Sequence, residues 1–191
     1  MKTRQQDTFT LVQEAVSQVL EITFGEKPKI LPQTNTAAEI NTQIIASIGL
    51  SGSLSASLAV GLNQSGACHL VSKMMGSEVK PADQEVVDGV GELVNIISGL
   101  IKNKFAELGC VFITSLPTVA TAEVALCIRQ LLESEGVVLS CEIIGITMDV
   151  FFFYSRFGAG QASLSDVISK TVTGQDATQE LKKLLTQKPK I

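Results

Sequence analysis

Hydrophobic residues recur at three- and four-residue intervals in three stretches of the chain, at residues 8–24, 65–75 and 83–108. This spacing places them on one face of a helix, so each stretch predicts an amphipathic helix turned toward a core. Pro81 precedes the longest stretch, and Asp83 is a suitable N-cap for it.

Apolar and small residues alternate in residues 42–50 and 54–62, with Ser51-Gly52-Ser53 between them. This pattern predicts two strands joined by a tight turn. In the second strand one face is aliphatic, and the other is small enough for a helix to pack very closely. Residues 111–114 are predicted to be extended, and residues 137–157 alternate as at least one long strand. Residues 121–133 combine features of a helix and a strand.

The predicted helices and hairpins are grouped along the chain and do not alternate regularly. This grouping predicts an α+β fold, and a doubly wound parallel sheet is disfavoured. After residue 157 the sequence carries weak helical patterns at 165–171 and 176–185, followed by a Lys-rich end. We expect this end to be flexible.

The composition of the chain indicates self-association and disfavours nucleic-acid binding, membrane insertion and export. Of 191 residues, 45% are hydrophobic and 18% are charged, and the mean hydropathy of +0.30 suggests that apolar surface closes against another copy of the chain. A net charge of -4 disfavours nucleic-acid binding. No apolar run approaches the ~20 residues that a membrane helix needs, and no signal peptide is apparent. The scattered cysteines contain no CxxC pair, so we expect reduced thiols and a cytoplasmic protein.

A narrow polar stripe runs along the helix predicted at 83–108, opposite its apolar face. Within it, Glu92 and Asn95 are neighbours, with roughly 5–6 Å between their Cβ atoms. Small residues surround the pair, although each Gly costs a helix about 1 kcal/mol relative to Ala. The stripe is either an ordinary solvated face or a surface kept bare for an approaching molecule. The stripe comprises Asp88, Glu92, Asn95, Gly99 and Lys102, and the small residues are Gly89, Gly91, Ser98 and Gly99.

Several other kinds of site are disfavoured. His69 is the only histidine, so a multi-His metal site is excluded, and its helical neighbour Cys68 points about 100° away from it. No P-loop or dinucleotide-binding fingerprint is present. The sequence offers no convincing set of metal ligands.

The string Asp88-x-x-x-Glu92-x-x-Asn95-x-Ile97-x-Gly99 resembles the active-site helix of the CheC/CheX chemotaxis phosphatases. The resemblance covers roughly residues 8–156 and is closest to the single-site CheX branch. Residues 48–52 and 65–76 are similar to the family's hairpin and following helix. Residues 115–119 are similar to its Thr-Pro-x-Val turn, except that Leu116 replaces the usual Thr.

The resemblance implies long amphipathic helices packed on an antiparallel sheet, in a phosphatase domain spanning residues 1–157 with a C-terminal extension at 158–191. It implies an enzyme that hydrolyses the aspartyl phosphate of a CheY-like response-regulator receiver. Asn95 would orient the attacking water, and Glu92 would hold the receiver. The residues expected to face the receiver are Asp88, Gly91, Ser98, Gly99 and Lys102.

The resemblance also implies that this chain binds no cofactor of its own, because Mg²⁺ would be carried by the receiver. It implies a homodimer formed through strand contacts. Two-site relatives repeat the motif in their first helix, where this chain has Glu14-Ala-Val-Ser17, so we predict one site per chain. Two alternatives remain, a non-catalytic receiver-binding or dimeric scaffold module and a membrane-associated flagellar-switch component. The intact Glu92 and Asn95 favour the enzyme over both.

Overall fold

The computed structural model describes residues 2–32, 42–52, 55–81, 84–121 and 136–155. In these ranges, three helices pack against one antiparallel sheet, which confirms the predicted α+β fold. In chain order the elements are α1 (Lys2–Phe24), β1 (Lys29–Ile30), β2 (Ile44–Gly52), β3 (Ser55–Leu62), α2 (Gln64–Met75), α3 (Gln84–Glu107), β4 (Phe112–Thr114), β5 (Thr118–Thr121), β6 (Gly136–Ile143) and β7 (Ile146–Ser155).

The predicted hairpin of β2 and β3 lies near the middle of the sheet, whose strand order is β1-β6-β7-β3-β2-β4, with β5 also paired to β2. β3 therefore has β2 on one side and β7 on the other, where Leu58 is paired with Phe152. Phe152 also stacks on Phe105 near the end of α3, with 5.5 Å between the ring centroids. The last described strand thus supports both the centre of the sheet and α3.

The alternating run at 137–157 contains two strands, joined by a turn at Ile144 and Gly145. Both residues have positive φ angles, 46° and 75°, as in the two-residue turns that match the twist of a hairpin. The Ile144 amide donates a hydrogen bond of 2.7 Å to Oε1 of Glu26, which follows α1. This bond fixes the turn against the end of the first helix.

The helices pack on the aliphatic face of β3, which corrects the expectation that its small-residue face would receive a helix. Leu58 and Val60 share one core with Leu20 of α1 and with Val94 and Ile97 of α3. All five side chains are fully buried. Leucine and valine on this face bury more apolar surface against a helix than serine and glycine would, so hydrophobic burial favours this face for the helices.

A β-bulge interrupts the edge of the sheet between β4 and β5. Thr114 is paired with Leu50 and Thr118 with Ser47, so residues 115–117 lie opposite only residues 48–49. The extra residue leaves one side chain out of the ladder. The sequence predicted extension up to residue 114 but missed β5, because residues 115–119 were expected to form a turn from the family resemblance.

Some predictions concern residues outside the described ranges. They are the Asp83 cap, most of the segment at 121–133, Cys127, and the extension at 158–191. Among the described helices, none combines the length and apolarity needed to cross a membrane.

Candidate active site

The polar stripe lies on the outer surface of α3. Asp88, Glu92 and Asn95 are exposed, while Gly99 and Lys102 are partly exposed. The opposite face of the same helix supplies core residues along its whole length, which holds the stripe outward. Its buried apolar residues are Val86, Val90, Leu93, Val94, Ile97, Ile101 and Phe105.

Glu92 and Asn95 lie side by side in the middle of this stripe. Nδ2 of Asn95 donates to Oε2 of Glu92 over 3.4 Å, a long hydrogen bond between two exposed side chains. A carboxamide carries both an acceptor oxygen and a donor NH₂ group, whereas an ionised carboxylate only accepts. The pair therefore presents adjacent groups suited to a water molecule, a phosphoryl oxygen and a cation.

The two ends of the stripe carry opposite charges. Asp88 lies in the N-terminal half of α3, where its Oδ1 accepts a hydrogen bond of 3.1 Å from Nε2 of Gln84. Lys102 lies near the C-terminal end. The stripe therefore presents an acidic group at one end and a basic group at the other.

Gly91 and Ser98 are buried in this structure, unlike the exposed residues of the stripe, and their predicted contact with the receiver stays a prediction. A Cβ atom on Gly91 would lie 3.4 Å from Cγ2 of Val119 and 3.9 Å from Pro117, so this glycine faces the bulged edge of the sheet. The hydroxyl of Ser98 is turned inward and donates to the Asn95 carbonyl over 2.8 Å. Gly91 therefore lies at the margin of the stripe, where α3 meets the sheet edge.

Gly99 differs from these two positions. A Cβ atom built there would have no neighbouring atom within 4 Å. It lies about one turn beyond Asn95, on the same outer surface. Of the small residues around the pair, Gly99 therefore keeps the place that the sequence predicted for it.

Two apolar side chains beside the stripe were missed by the sequence reasoning. Ile96, next to Asn95, is 39% exposed, and Leu116 in the bulge is 85% exposed. Leu116 precedes Pro117, which packs against Gly91. The signal that could have found Leu116 was its replacement of the usual Thr in the resembled turn.

The candidate second motif on α1 has a different environment. Oε2 of Glu14 lies 3.1 Å from Nζ of Lys104, so the carboxylate forms an ion pair with α3. Ser17 is half-buried. The prediction of one site per chain stays a prediction, and this ion pair gives Glu14 a role within the fold.

Within the described ranges, no three His, Cys, Asp or Glu side chains are grouped as a metal site would require. The expectation that Mg²⁺ is carried by the receiver stays a prediction.

Away from the stripe, burial and the charge of Asp149 raise the pKa of Cys141 to about 12. This thiol therefore keeps its proton at neutral pH and is a poor nucleophile.

Comparison with known proteins identifies the family. A family model described as chemotaxis phosphatase CheX matches residues 44–142, which include Glu92, Asn95 and the bulge. The CheY-P phosphatase CheX of Thermotoga maritima is 30% identical over 132 residues, covering 68% of this chain and 81% of that protein. The chain belongs to the CheX family.

Solved structures of CheX-like and CheC-like proteins share the fold. The CheX-CheY-BeF₃-Mg²⁺ complex of Borrelia burgdorferi matches with a TM-score of 0.64 at 20% identity, covering 77% of this chain and 97% of that chain. A CheC-like superfamily protein from Shewanella sp. PV-4 matches with a TM-score of 0.65 at 19% identity, covering 78% and 97% respectively. These matches confirm helices packed on an antiparallel sheet of the CheX type.

Proposed function

We propose that this chain is a phosphatase that accelerates hydrolysis of the aspartyl phosphate on a CheY-like response-regulator receiver, in chemotaxis or related two-component signalling. The observation that carries the proposal is the exposed, adjacent pair Glu92 and Asn95 on α3 of a CheX family member. The Thermotoga relative is named a CheY-P phosphatase, and the Borrelia relative was solved with CheY.

Asn95 acts by positioning water. An acyl phosphate is intrinsically labile, so hydrolysis needs mainly a water molecule aligned with the scissile P–O bond. The amide oxygen of Asn95 accepts a hydrogen bond from this water while its NH₂ group donates to a phosphoryl oxygen. A water-positioning Gln has a comparable role in GTPases. No strong base is required, because little proton transfer has occurred in a loose transition state.

Glu92 binds the receiver. Its exposed carboxylate, beside Asn95, is suited to an ion pair with a lysine of the receiver's active site. Such a pair would orient the phosphorylated pocket over Asn95. The Mg²⁺ ion belongs to the receiver, where it neutralises charge on the phosphoryl group.

Access to this pair depends on the helix surface around it. Asn95 has to enter a pocket already occupied by phosphate and metal, so α3 must approach the receiver closely. Gly99 leaves the outer surface open one turn beyond Asn95. In this proposal Asp88 and Lys102 contact the receiver at the two ends of the stripe.

We further propose a cytoplasmic homodimer that forms through strand contacts. β4 lies at the end of the strand order and carries the exposed Ile113, preceded by the exposed Val111. An apolar edge strand is prone to pair with another chain. Sedimentation at tens of micromolar should give a dimer, and a monomer at that concentration would contradict this assembly.

The central experiment follows the loss of phosphate from candidate receivers labelled by a small-molecule phosphodonor, with and without the protein. The cognate receiver should lose its phosphate at least about tenfold faster in the presence of wild-type protein. The matched control is Asn95→Ala, which should bind the receiver without accelerating the loss. If no receiver is dephosphorylated faster, or if Asn95→Ala is fully active, the proposed function is wrong.

A further inference from the structure

We infer that Leu116, displayed by the bulge between β4 and β5, is an apolar anchor that binds the receiver beside Asn95. The inference rests on the proposed function and adds a residue that determines affinity for the protein substrate. Leu116 is 85% exposed, more than any other large hydrophobic residue in the described ranges. Leaving such a side chain in water forgoes the free energy of burying it, and a protein partner would recover that free energy.

The bulge holds Leu116 in a defined position. On its N-terminal side, the Ser115 amide donates to the Gly49 carbonyl over 2.9 Å. The Gly49 amide in turn donates to Oγ of Ser115 over 3.0 Å. On its C-terminal side, Pro117 has a fixed φ angle and packs against Gly91. The backbone at Leu116 is therefore already ordered between two fixed neighbours, so little backbone entropy is lost on binding, which favours a role as an anchor.

The location of Leu116 connects it to the proposed site. Pro117 lies beside α3 at Gly91, where a Cβ atom would be 3.9 Å from it, and Asn95 lies one helical turn further along, within about 40° of Gly91 around the axis. Leu116 is separated from Pro117 by a single Cα–Cα step of about 3.8 Å. A receiver whose phosphorylated pocket covers Asn95 therefore has Leu116 beside it, at the rim of the same contact.

The bulge could instead serve the sheet itself or a second copy of this chain. A bulge can protect an edge strand from pairing with another sheet, but this purpose does not require a leucine in the exposed position. A second copy could bury the leucine without any receiver. Bulges are common next to active sites, where they redirect a side chain, and the contact of the neighbouring Pro117 with α3 favours the receiver as the partner.

The test compares Leu116→Ser with Leu108→Ser. Leu108 is a matched control because it is 69% exposed and lies roughly 20 Å from Asn95 along the helix axis. Steady-state dephosphorylation gives kcat and KM, and the affinity for a receiver loaded with beryllofluoride and Mg²⁺ gives Kd. We expect Leu116→Ser to raise KM and Kd about tenfold, with kcat and melting temperature unchanged. Leu108→Ser and Leu116→Met should behave like the wild type.

Ser115 is a positioning residue in this scheme. Ser115→Ala removes the hydroxyl that accepts from the Gly49 amide, so KM should rise while kcat stays constant. Ser115→Thr keeps the hydroxyl and should restore the wild-type KM. A change in kcat alone would mean that the bulge acts through the geometry of α3 and would overturn the role assigned to Leu116.

The outcomes separate this inference from the proposed function. Wild-type activity with an unchanged KM and Kd in Leu116→Ser overturns the anchor and leaves the phosphatase intact. A changed sedimentation coefficient with an unchanged Kd assigns Leu116 to the contact between copies, which also overturns it. If the wild type neither binds nor dephosphorylates any receiver, the proposed function fails and the anchor fails with it. If the wild type binds the receiver without accelerating hydrolysis, the Kd of Leu116→Ser compared with that of the wild type tests the anchor.

Discussion

Gly89 of α3 packs directly against Val71 of α2. A Cβ atom on Gly89 would lie 2.6 Å from Cγ1 and 2.7 Å from Cγ2 of Val71, closer than atoms in a folded protein approach. The two helices can therefore keep this separation only because residue 89 has no side chain. Gly99, ten positions later on the same helix, has open space around it. Two glycines in one helix thus have different roles, and substitutions can separate them.

Gly89→Ala should destabilise the protein by about 1–3 kcal/mol, because the added methyl group overpacks the contact with Val71. Unfolding in urea gives the free energies of the two single variants and of the double variant with Val71→Ala. The double variant should lose less unfolding free energy than the two single variants lose together, since removing the valine methyl groups makes room for the alanine. Strictly additive losses would contradict the contact.

Gly99→Ala should stabilise the protein by up to about 1 kcal/mol, because alanine favours a helix and nothing surrounds this position. If access limits the site, Gly99→Ala should dephosphorylate the receiver more slowly, and Gly99→Leu more slowly still. Melting temperature and turnover are measured on the same samples. A stabilised Gly99→Leu variant with normal turnover would show that the open surface has no part in catalysis.

Asn95→Ala should reduce the accelerated dephosphorylation by at least about 100-fold, since no other group in the proposed mechanism positions the water. Its unfolding free energy should change little because the side chain is exposed. Kinetics with saturating phosphorylated receiver measure the effect on kcat. Asn95→Gln, which keeps the amide but moves it by one methylene group, should recover only part of the rate.

Glu92→Gln should act mainly on binding, raising KM for the phosphorylated receiver about tenfold because the charge of the proposed ion pair is lost. This increase should shrink at high salt, where the ion pair contributes less to wild-type affinity. Titrations at two salt concentrations measure it, with Glu85→Gln at the start of α3 as the control. A collapse of kcat with unchanged KM would reverse the roles assigned to Glu92 and Asn95.

Stability should fall in alkaline solution because of Cys141. Its pKa is raised from 9.0 to about 12 by burial and by Asp149, so the unfolded chain loses the thiol proton before the folded one does. The contribution of the protonated thiol to the free energy of unfolding is therefore complete below pH 9. It is lost progressively between pH 9 and about 12. Relative to Cys141→Ala, the wild type should lose about 1 kcal/mol of unfolding free energy between pH 7.5 and pH 10. An equal difference between the two proteins at both pH values would contradict the shift.

Periodicity was sufficient to predict α2, α3 and the hairpin of β2 and β3, because strong hydrophobic patterns fix which face is buried. It was insufficient at the turn between β6 and β7. Ile144 continues the apolar alternation, so the pattern runs through a turn in which this residue adopts a left-handed conformation. β-branched residues rarely do so, and only the pairing of the flanking strands reveals the turn.

The exposure of the candidate site residues was predictable where side chains are polar and less so where they are small. Asp88, Glu92 and Asn95 were placed correctly on the outer surface because a charged or amide group opposite an apolar face stays in water. Gly91 and Ser98 carry no comparable hydrophobic signal. Gly91 faces Pro117 and Val119 of a distant segment, whose path local periodicity does not contain.

The position of β7 in the sheet has a consequence for synthesis of the chain. The helix that carries Glu92 and Asn95 leaves the ribosome well before Phe152, yet Phe152 stacks on Phe105 of that helix and pairs with Leu58 in β3. A nascent chain that ends before β7 exposes the edge of β3 and leaves α3 without part of its support. The surface on which the pair stands is therefore completed only when β7, the last described strand, is made, so a chain that ends before β7 should have no ordered site.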